Sequence, residues 1–312
     1  VAGTWRSRID DIVVAWRNTG IASPTNNSLP QHHSHSRHWR ENAYVYPVIS
    51  RRSGGLSIGI NLAPDAACNF SCVYCQVDRR AARRVSGVDI HVLRAELARM
   101  IDDAASEAIF EDPVLANVPA ELRRIKDIAF SGDGEPTASP YFPRCVQIAA
   151  DLKRRAGLDA AKIVLITNAC YLTRPEVVEG LAIMDENNGE VWAKLDAATE
   201  EYHRLVNRPS HTLEHVMHNI IATARVRPIV IQALFMRLHG VPPDETELEA
   251  FVDRLNEILH AGGRISRVQV YTVARRPAEN FVSALTSEEL DRIASLVRKG
   301  SGLPATPYYG SK

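Results

Sequence analysis

Three of the chain's five cysteines fall within eight residues, in the run Cys68-Asn-Phe-Ser-Cys72-Val-Tyr-Cys75. Thiolates are soft donors, and three so close on one loop can ligate one compact soft-metal centre. Pairing them as disulfides would leave one thiol over and strain the bridge, because a disulfide demands a specific Cα separation and dihedral. Structural zinc takes four ligands, and a usual four-iron four-sulfur cluster takes four cysteines, so three ligands leave one coordination position open. An open position on a metal centre is where chemistry takes place. The alternative left by the spacing is a non-catalytic module, a zinc knuckle that borrows a histidine from elsewhere or an electron-transfer cluster. An odd cysteine count crowded in this way fits a reducing compartment and a metal site better than a secreted disulfide framework. Cys145 and Cys170 stand apart from the cluster.

Such a loop needs a scaffold to hold it. From Leu56 onward short β-rich runs alternate with amphipathic helical runs. Strands are expected over 56–61, 125–131, 162–168, 190–196, 229–236 and 268–273. Helices are expected at 88–108, 141–156, 174–184, 199–224 with a break near Pro209, 244–261 and 287–298. Thr286-Ser287-Glu288-Glu289 reads as a helix start and Gly262-Gly263 as a stop. Six βα units in series imply an α/β chain with a parallel sheet and helices outside it, since parallel strands need crossovers and crossovers are right-handed. Pattern alone leaves a full barrel, a partial barrel and a doubly wound sheet open. In each of them functional groups gather at the carboxyl ends of the strands, and the cysteine run follows the first strand.

Strand parity then points to interior side chains. Trp192, Lys194 and Asp196 share one face of the fourth strand, and their polarity makes it the cavity face. The same parity nominates Asn168 and Cys170, Gln232, and Gln269 with Tyr271. Lys194 is a candidate to hold a carboxylate or form an imine, with Asp196 as its partner, because an unpaired interior lysine is costly. The bland reading of all of them is a buried polar network that fills the barrel. Arg79 and Arg80, just after the cysteines, are candidates to meet a carboxylate or phosphate.

Composition bounds the rest. The chain has 312 residues, 45% apolar and 24% charged, with 37 Lys+Arg against 37 Asp+Glu. That is enough length and apolar content for a real core, and it excludes disordered, collagenous and disulfide-scaffold classes. Zero formal charge supplies no global field for a polyanion, so a nucleic-acid partner would need a local basic patch. No run of about 18 apolar residues occurs, and the amino-terminal stretch lacks the apolar core of a signal peptide. A cytoplasmic protein without membrane contact is therefore expected. Residues 1–17 read as a short helix, and 20–40 as a polar arm whose His32, His33, His35 and His38 are solvated. The expected division is 1–54 for the helix and arm, 55–300 for the core and 301–312 for a tail.

With Tyr74 before its last cysteine, the run reads C-x3-C-x-aromatic-C after a first strand and resembles the signature of the radical S-adenosylmethionine superfamily. The resemblance implies a partial (β/α)6 TIM-like barrel, here with an N-terminal extension and a short C-terminal tail. It implies that Cys68, Cys72 and Cys75 hold a [4Fe-4S] cluster whose fourth iron is chelated by S-adenosylmethionine (SAM), with Tyr74 beside the cofactor, and it makes Asp196 or Asn168 a candidate for the cofactor's ribose. It also implies an external one-electron reductant, flavodoxin- or ferredoxin-like, and a 5'-deoxyadenosyl radical that abstracts hydrogen from a substrate, for which Cys170 is a candidate hydrogen-atom relay unless it is simply buried packing. An activase that makes a radical on a partner protein is the rival within the class.

Phe130-Ser131-Gly132-Asp133-Gly134-Glu135-Pro136-Thr137, at the end of the second strand, resembles the family's Gly-Gly-Glu-Pro element, which contacts the methionyl amine. Glycines there admit a close backbone approach, and a carboxylate can hold an ammonium group. Asp133 stands where the first glycine would be, so the carry-over is to Gly134, Glu135 and Pro136. Together with Gly59-Ile-Asn61, Thr167-Asn168-Ala169, Lys194-Leu-Asp196 and Asn207-Arg208-Pro209, the pattern over 55–275 is similar to the wyosine-synthase-like group. Wyosine synthases act on transfer RNA and carry extra cysteines upstream of the signature. None precedes Cys68, and Cys145 and Cys170 are too few to hold a second cluster. A transfer-RNA substrate is therefore not carried over, and the substrate, small or macromolecular, stays open.

Overall fold

A computed structural model of the chain describes residues 39–77 and 87–310. The expected helix over 1–17, the four histidines of the arm, and Arg79 and Arg80 lie outside the described residues. In chain order the strands are β1 (Val45–Ser50), β2 (Gly55–Ile60), β3 (Ile125–Phe130), β4 (Lys162–Thr167), β5 (Gly189–Lys194), β6 (Ile229–Leu234), β7 (Met236–Leu238), β8 (Ile265–Tyr271), β9 (Val282–Ala284) and β10 (Ala305–Tyr308). The helices are α1 (Ile90–Ala105), α2 (Phe142–Arg155), α3 (Pro175–Asp185), α4 (Glu200–Asn207), α5 (Leu213–Val226), α6 (Glu245–His260) and α7 (Ser287–Ser301).

One curled sheet runs β1-β2-β3-β4-β5-β6-β8-β10, parallel throughout except for β1, which pairs antiparallel with β2. Six of its parallel strands are those expected from the βα series, and the curl is that of a partial barrel. The strand expected over 229–236 divides. Its end, β7, leaves the sheet and pairs with β9 as a separate two-stranded ribbon.

The boundaries at 54 and 300 do not match the sheet. Val45–Ser50 and Ala305–Tyr308, expected in the arm and the tail, are its two edge strands. Pro47 and Pro307 hid them, since proline breaks a strand pattern and is tolerated at edges because it cannot donate to a ladder. The two edges approach where the Arg51 guanidinium donates to the Tyr309 carbonyl.

Alternation along the strands divides the side chains between two faces. Leu56, Ile58 and Ile60 of β2 are fully buried outward with Ile128 and Phe130 of β3, beneath the helices. A buried side chain of this size contributes about 1.5–3 kcal/mol. Ser57 and Gly59, Asp127 and Ala129, Val164 and Ile166, and Trp192 and Lys194 face inward and line a cavity. At Gly59 an added Cβ would lie 2.4 Å from the Tyr46 ring, so glycine is what lets that ring enter the cavity wall.

The helices begin where the sequence predicts. Thr286 and Glu289 form a reciprocal capping box at the start of α7, worth about 1 kcal/mol. The break near Pro209 is real, with α4 ending at Asn207, Arg208 turning left-handed (φ 43°) and Thr212 capping α5. Glu96 on α1 accepts the backbone N–H groups of Ala43, Tyr44 and Val45, which ties that helix to the antiparallel edge. Among the described residues no helix is long and apolar enough to cross a membrane.

Candidate active site

The cysteine loop leaves the carboxyl end of β2 and is held from three directions. Backbone bonds run from Ser71 N to Asn207 O (3.1 Å), from Val73 N to Val206 O (2.9 Å) and from Ser210 N to Asn69 O (3.1 Å), so the end of α4 and the turn after it grip the loop. Val73 and Tyr74 pack with Val206, Leu234, Met236 and Val282 in a small apolar cluster shared with the β7–β9 ribbon. At Gly134 an added Cβ would stand 1.9 Å from the Ala67 carbonyl, so the backbone after β3 presses directly on the loop. Cys68, Cys72 and Cys75 are half-buried and all line the cavity.

Burial pushes the Cys72 thiol up to about 11, against the downward pull of hydrogen bonds with Tyr74 and Asn207. A metal centre bound there must displace a proton. Among the described residues no three His, Cys, Asp or Glu side chains sit close enough together to hold a single metal ion. A polynuclear cluster offers each cysteine its own metal corner and accommodates thiolates spread along one loop, so the donor set fits an iron–sulfur centre better than one zinc.

The carboxyl ends of the next strands complete the wall. Glu135 is buried and links two of them. Its Oε1 accepts from Thr137 N (3.1 Å), Thr137 Oγ1 (2.6 Å) and Thr167 Oγ1 (2.6 Å), while its Oε2 accepts from Asn168 N (2.7 Å). Burial raises its pKa and these bonds pull it back. Asn168 reaches from β4 to the cysteine loop, where its Nδ2 donates to Asn69 Oδ1 (2.7 Å). Asp133 is buried beside Asn61, whose Nδ2 donates to it (2.9 Å).

Lys194 enters the cavity with its side chain 20% exposed. Its Nζ lies 3.0 Å from Asp196 and donates to the Tyr271 hydroxyl (2.7 Å). Burial works against its charge, but the Asp196 carboxylate and Tyr271 outweigh it and raise the pKa of the ammonium. Asp196 also accepts from the Tyr74 hydroxyl and from Leu234 N (2.8 Å). Asn207 Nδ2 donates to the Tyr74 hydroxyl oxygen (3.1 Å) and stands 3.6 Å from Cys72 Sγ. A continuous hydrogen-bonded chain thus runs from a cysteine of the loop through Asn207, Tyr74 and Asp196 to Lys194.

The structure brings Cys68, Cys72, Cys75, Tyr74, Gly134, Glu135, Asn168 and Lys194 to one cavity of about 320 Å³. Other expected residues take different places. Asp196, two residues beyond Lys194, lies past the end of β5 and is buried behind the wall, its carboxylate taken by Tyr74, Lys194 and Leu234 rather than facing a ribose. Pro136 is buried in a 3-10 turn, where it shapes the backbone after Glu135. Cys170, expected to face the cavity, does not line it: it is buried against the apolar core, with its thiol beside Asn69 and Cys68 of the loop and Glu135. Ala169 turns left-handed (φ 66°) just before it and ends strand parity, while His215 and Asn219 of α5 hold the Cys170 carbonyl. Burial pushes the Cys170 thiol up to about 12, as it does Cys145 on α2. Gln269 is buried behind Gln232, which donates to it (2.7 Å). Asn207 and Asn69 bear on the site without having been singled out. Asn207 stands in a motif already noted, and its role depends on the docking of α4.

The radical SAM superfamily matches this chain over residues 65–255, from the approach to the cysteine loop into α6. The chain belongs to the radical SAM superfamily. Membership implies an enzyme domain that uses SAM and an iron–sulfur cluster. Similar proteins include one from Brachyspira hyodysenteriae called GTPase Obg, 24% identical over 79% of this chain. The chain spans about a third (32%) of the length of that protein. A UPF0026 protein from Methanocaldococcus jannaschii is 28% identical over 80% of this chain and 69% of its own length. The structure of Streptococcus suis SuiB bound to S-adenosylmethionine is similar with a TM-score of 0.52, covering 83% of this chain and 49% of that one at 14% identity, which is a likeness of fold.

Proposed function

We propose that this radical SAM enzyme cleaves SAM reductively at a [4Fe-4S] cluster held by Cys68, Cys72 and Cys75, and that hydrogen abstraction from a substrate follows in the cavity beneath the loop. The observation that carries the reading is the placement of the three cysteines on the wall of a cavity that Glu135, Asn168 and Lys194 also reach. When bound, the externally reduced cluster would pass one electron to the sulfonium of SAM, whose C5'–S bond would break to give methionine and a 5'-deoxyadenosyl radical. The protein's share is binding, orientation and exclusion of stray hydrogen donors.

In this reading Gly134 and the carboxylate side of Glu135 border the methionyl end of SAM, and Asn168 borders its sugar. Tyr74 and Asn207 fix the loop by hydrogen bonds whose other ends are buried. Lys194, kept as an ammonium by Asp196, faces an anionic group rather than acting as a neutral amine. The two cysteines that could donate stray hydrogen, Cys145 and Cys170, are buried and do not line the cavity. A flavodoxin- or ferredoxin-like reductant supplies the electron, and the protein works in the reducing cytoplasm.

Anaerobic reconstitution followed by iron and sulfide analysis tests the cluster. Reduction by dithionite in the presence of SAM, with chromatography of the products, tests the chemistry. Four irons per chain and formation of 5'-deoxyadenosine are expected, both lost in Cys72→Ala. A colourless zinc protein, or a brown one that leaves SAM intact, would sink the reading.

A further inference from the structure

A second cation faces the same cavity from its other end. Arg52 lies in the turn that joins β1 to β2, at the amino end of the parallel strands and so opposite the cysteine loop. Its guanidinium carbon stands 5.6 Å from the Trp192 ring centroid and 5.3 Å from that of Tyr271. Arg52, Trp192 and Tyr271 all line the cavity. The aromatic faces attract the guanidinium without using its N–H groups. Its neighbour Arg51 is taken up by the Tyr309 carbonyl, and Asp127 on the same wall is engaged by Ser57. Among the described residues Arg52 makes neither an ion pair within 4 Å nor a hydrogen bond, the Asp127 carboxylate feeling its charge only from beyond that distance, so its five donors are left for a ligand.

Two further groups look onto this region. Lys194 Nζ lies 5.4 Å from the same Tyr271 ring, so two cations flank one aromatic side chain. The charge of Lys194 is paired with Asp196 at 3.0 Å, whereas Arg52 has only the longer-range attraction of Asp127. Gln232 is wholly buried on the wall, and one atom of its amide has no partner. Reversing both amides of the Gln232–Gln269 pair exchanges which atom is bonded but leaves one on Gln232 free in either case.

We propose that this floor is an oxyanion subsite, which holds a carboxylate or phosphate group of the substrate on Arg52, with Lys194, Tyr271 and Gln232 beside it. The planar fork of a guanidinium matches either oxyanion bidentately. Anchoring the substrate at the floor leaves its remainder pointing to the cysteine loop, where abstraction would occur. The inference rests on the functional reading above for the place of reaction and narrows the substrate class to anionic molecules.

Calorimetric titration of the reconstituted protein with malonate, inorganic phosphate and uncharged malonamide, each in its own arm, tests the subsite. Saturable binding of malonate or phosphate is expected, with the better arm telling carboxylate from phosphate. Arg52→Gln should weaken it roughly tenfold or more, Arg52→Lys less, and added salt should weaken it in the wild type. Cluster absorbance shows whether each variant remains intact. If Arg52→Gln does not, the contrast between malonate and malonamide and the salt dependence in the wild type decide. Equal binding of malonamide, unchanged affinity in an intact Arg52→Gln, or no binding of either anion overturns the proposal. SAM cleavage by the wild type is measured separately. Cleavage without anion binding sinks the subsite alone, and anion binding without cleavage sinks the radical reading alone.

Discussion

Lys194 and Asp196 are two residues apart, the spacing of one strand face, yet only Lys194 is on the strand. Lys194 is the last residue of β5 and still obeys the alternation that points it into the cavity. Asp196 lies past the strand end and is fixed by its hydrogen bonds to Tyr74, Lys194 and Leu234 N. It therefore acts on the cavity through Lys194 and Tyr74, as a positioning residue. Removing one member of a buried pair leaves the other uncompensated, at a cost of about 3–5 kcal/mol. Asp196→Asn is expected to lower stability in urea by roughly 3 kcal/mol, because Lys194 retains some solvent access. Adding Lys194→Met should recover part of that loss, with a coupling of about 1 kcal/mol or more in the double-mutant cycle. Simple additivity would show that the pair contributes nothing specific.

At the scale of elements, the site is a set of strand ends and the loops that follow them. The first strand, the cysteine loop and the glycine-rich turn after β3 are legible because spacing and residue type mark them. Their contact is not legible, since nothing in Ser131–Thr137 announces that Gly134 meets the backbone of Ala67. That contact gives a prediction for the loop as a unit. In Gly134→Ala the new methyl would collide with a backbone carbonyl, so the cysteine loop must shift. The variant is expected to retain less than about half the iron of the wild type after reconstitution and to lose roughly 1–3 kcal/mol in denaturant, as overpacked sites do. Wild-type iron content would show that the loop is free to move. Parity served well within strands and failed just beyond them. It placed Trp192, Lys194 and Gln232 on the wall but misplaced Cys170, because the left-handed Ala169 lies between β4 and that cysteine.

Over the whole molecule, the parallel sheet stays open between β1 and β10 and is stabilised near its amino end by ion pairs. Glu190, with its side chain 13% exposed, accepts from Lys162 (2.9 Å), Arg267 (2.8 and 2.9 Å) and Trp192 (2.6 Å). Burial alone would raise its pKa, but these partners lower it to about 2. With the folded value below the unfolded one of 4.5, the contribution is complete above pH 4.5 and is lost as pH falls from there toward 2. The shift corresponds to about 3 kcal/mol. Glu190→Gln should therefore lower stability by roughly 2–3 kcal/mol at pH 7, and the gap should narrow when urea midpoints are compared at pH 4. A gap that is constant with pH would locate the loss in packing rather than charge.

The sequence by itself determined the three-thiolate loop with its open position, the alternation of strands and helices, and the order of elements that carries the cavity residues. These are local properties, set by side-chain chemistry, spacing and period. Tertiary structure alone decided that two proline-bearing segments become the sheet edges, that the end of α4 grips the cysteine loop through Asn207, and that Arg52 closes the floor against Trp192 and Tyr271. Each of those joins residues far apart in the chain, and no periodicity encodes which turn will face which ring. The curl of the sheet brings them together, and with them the cavity that gives the loop something to act on.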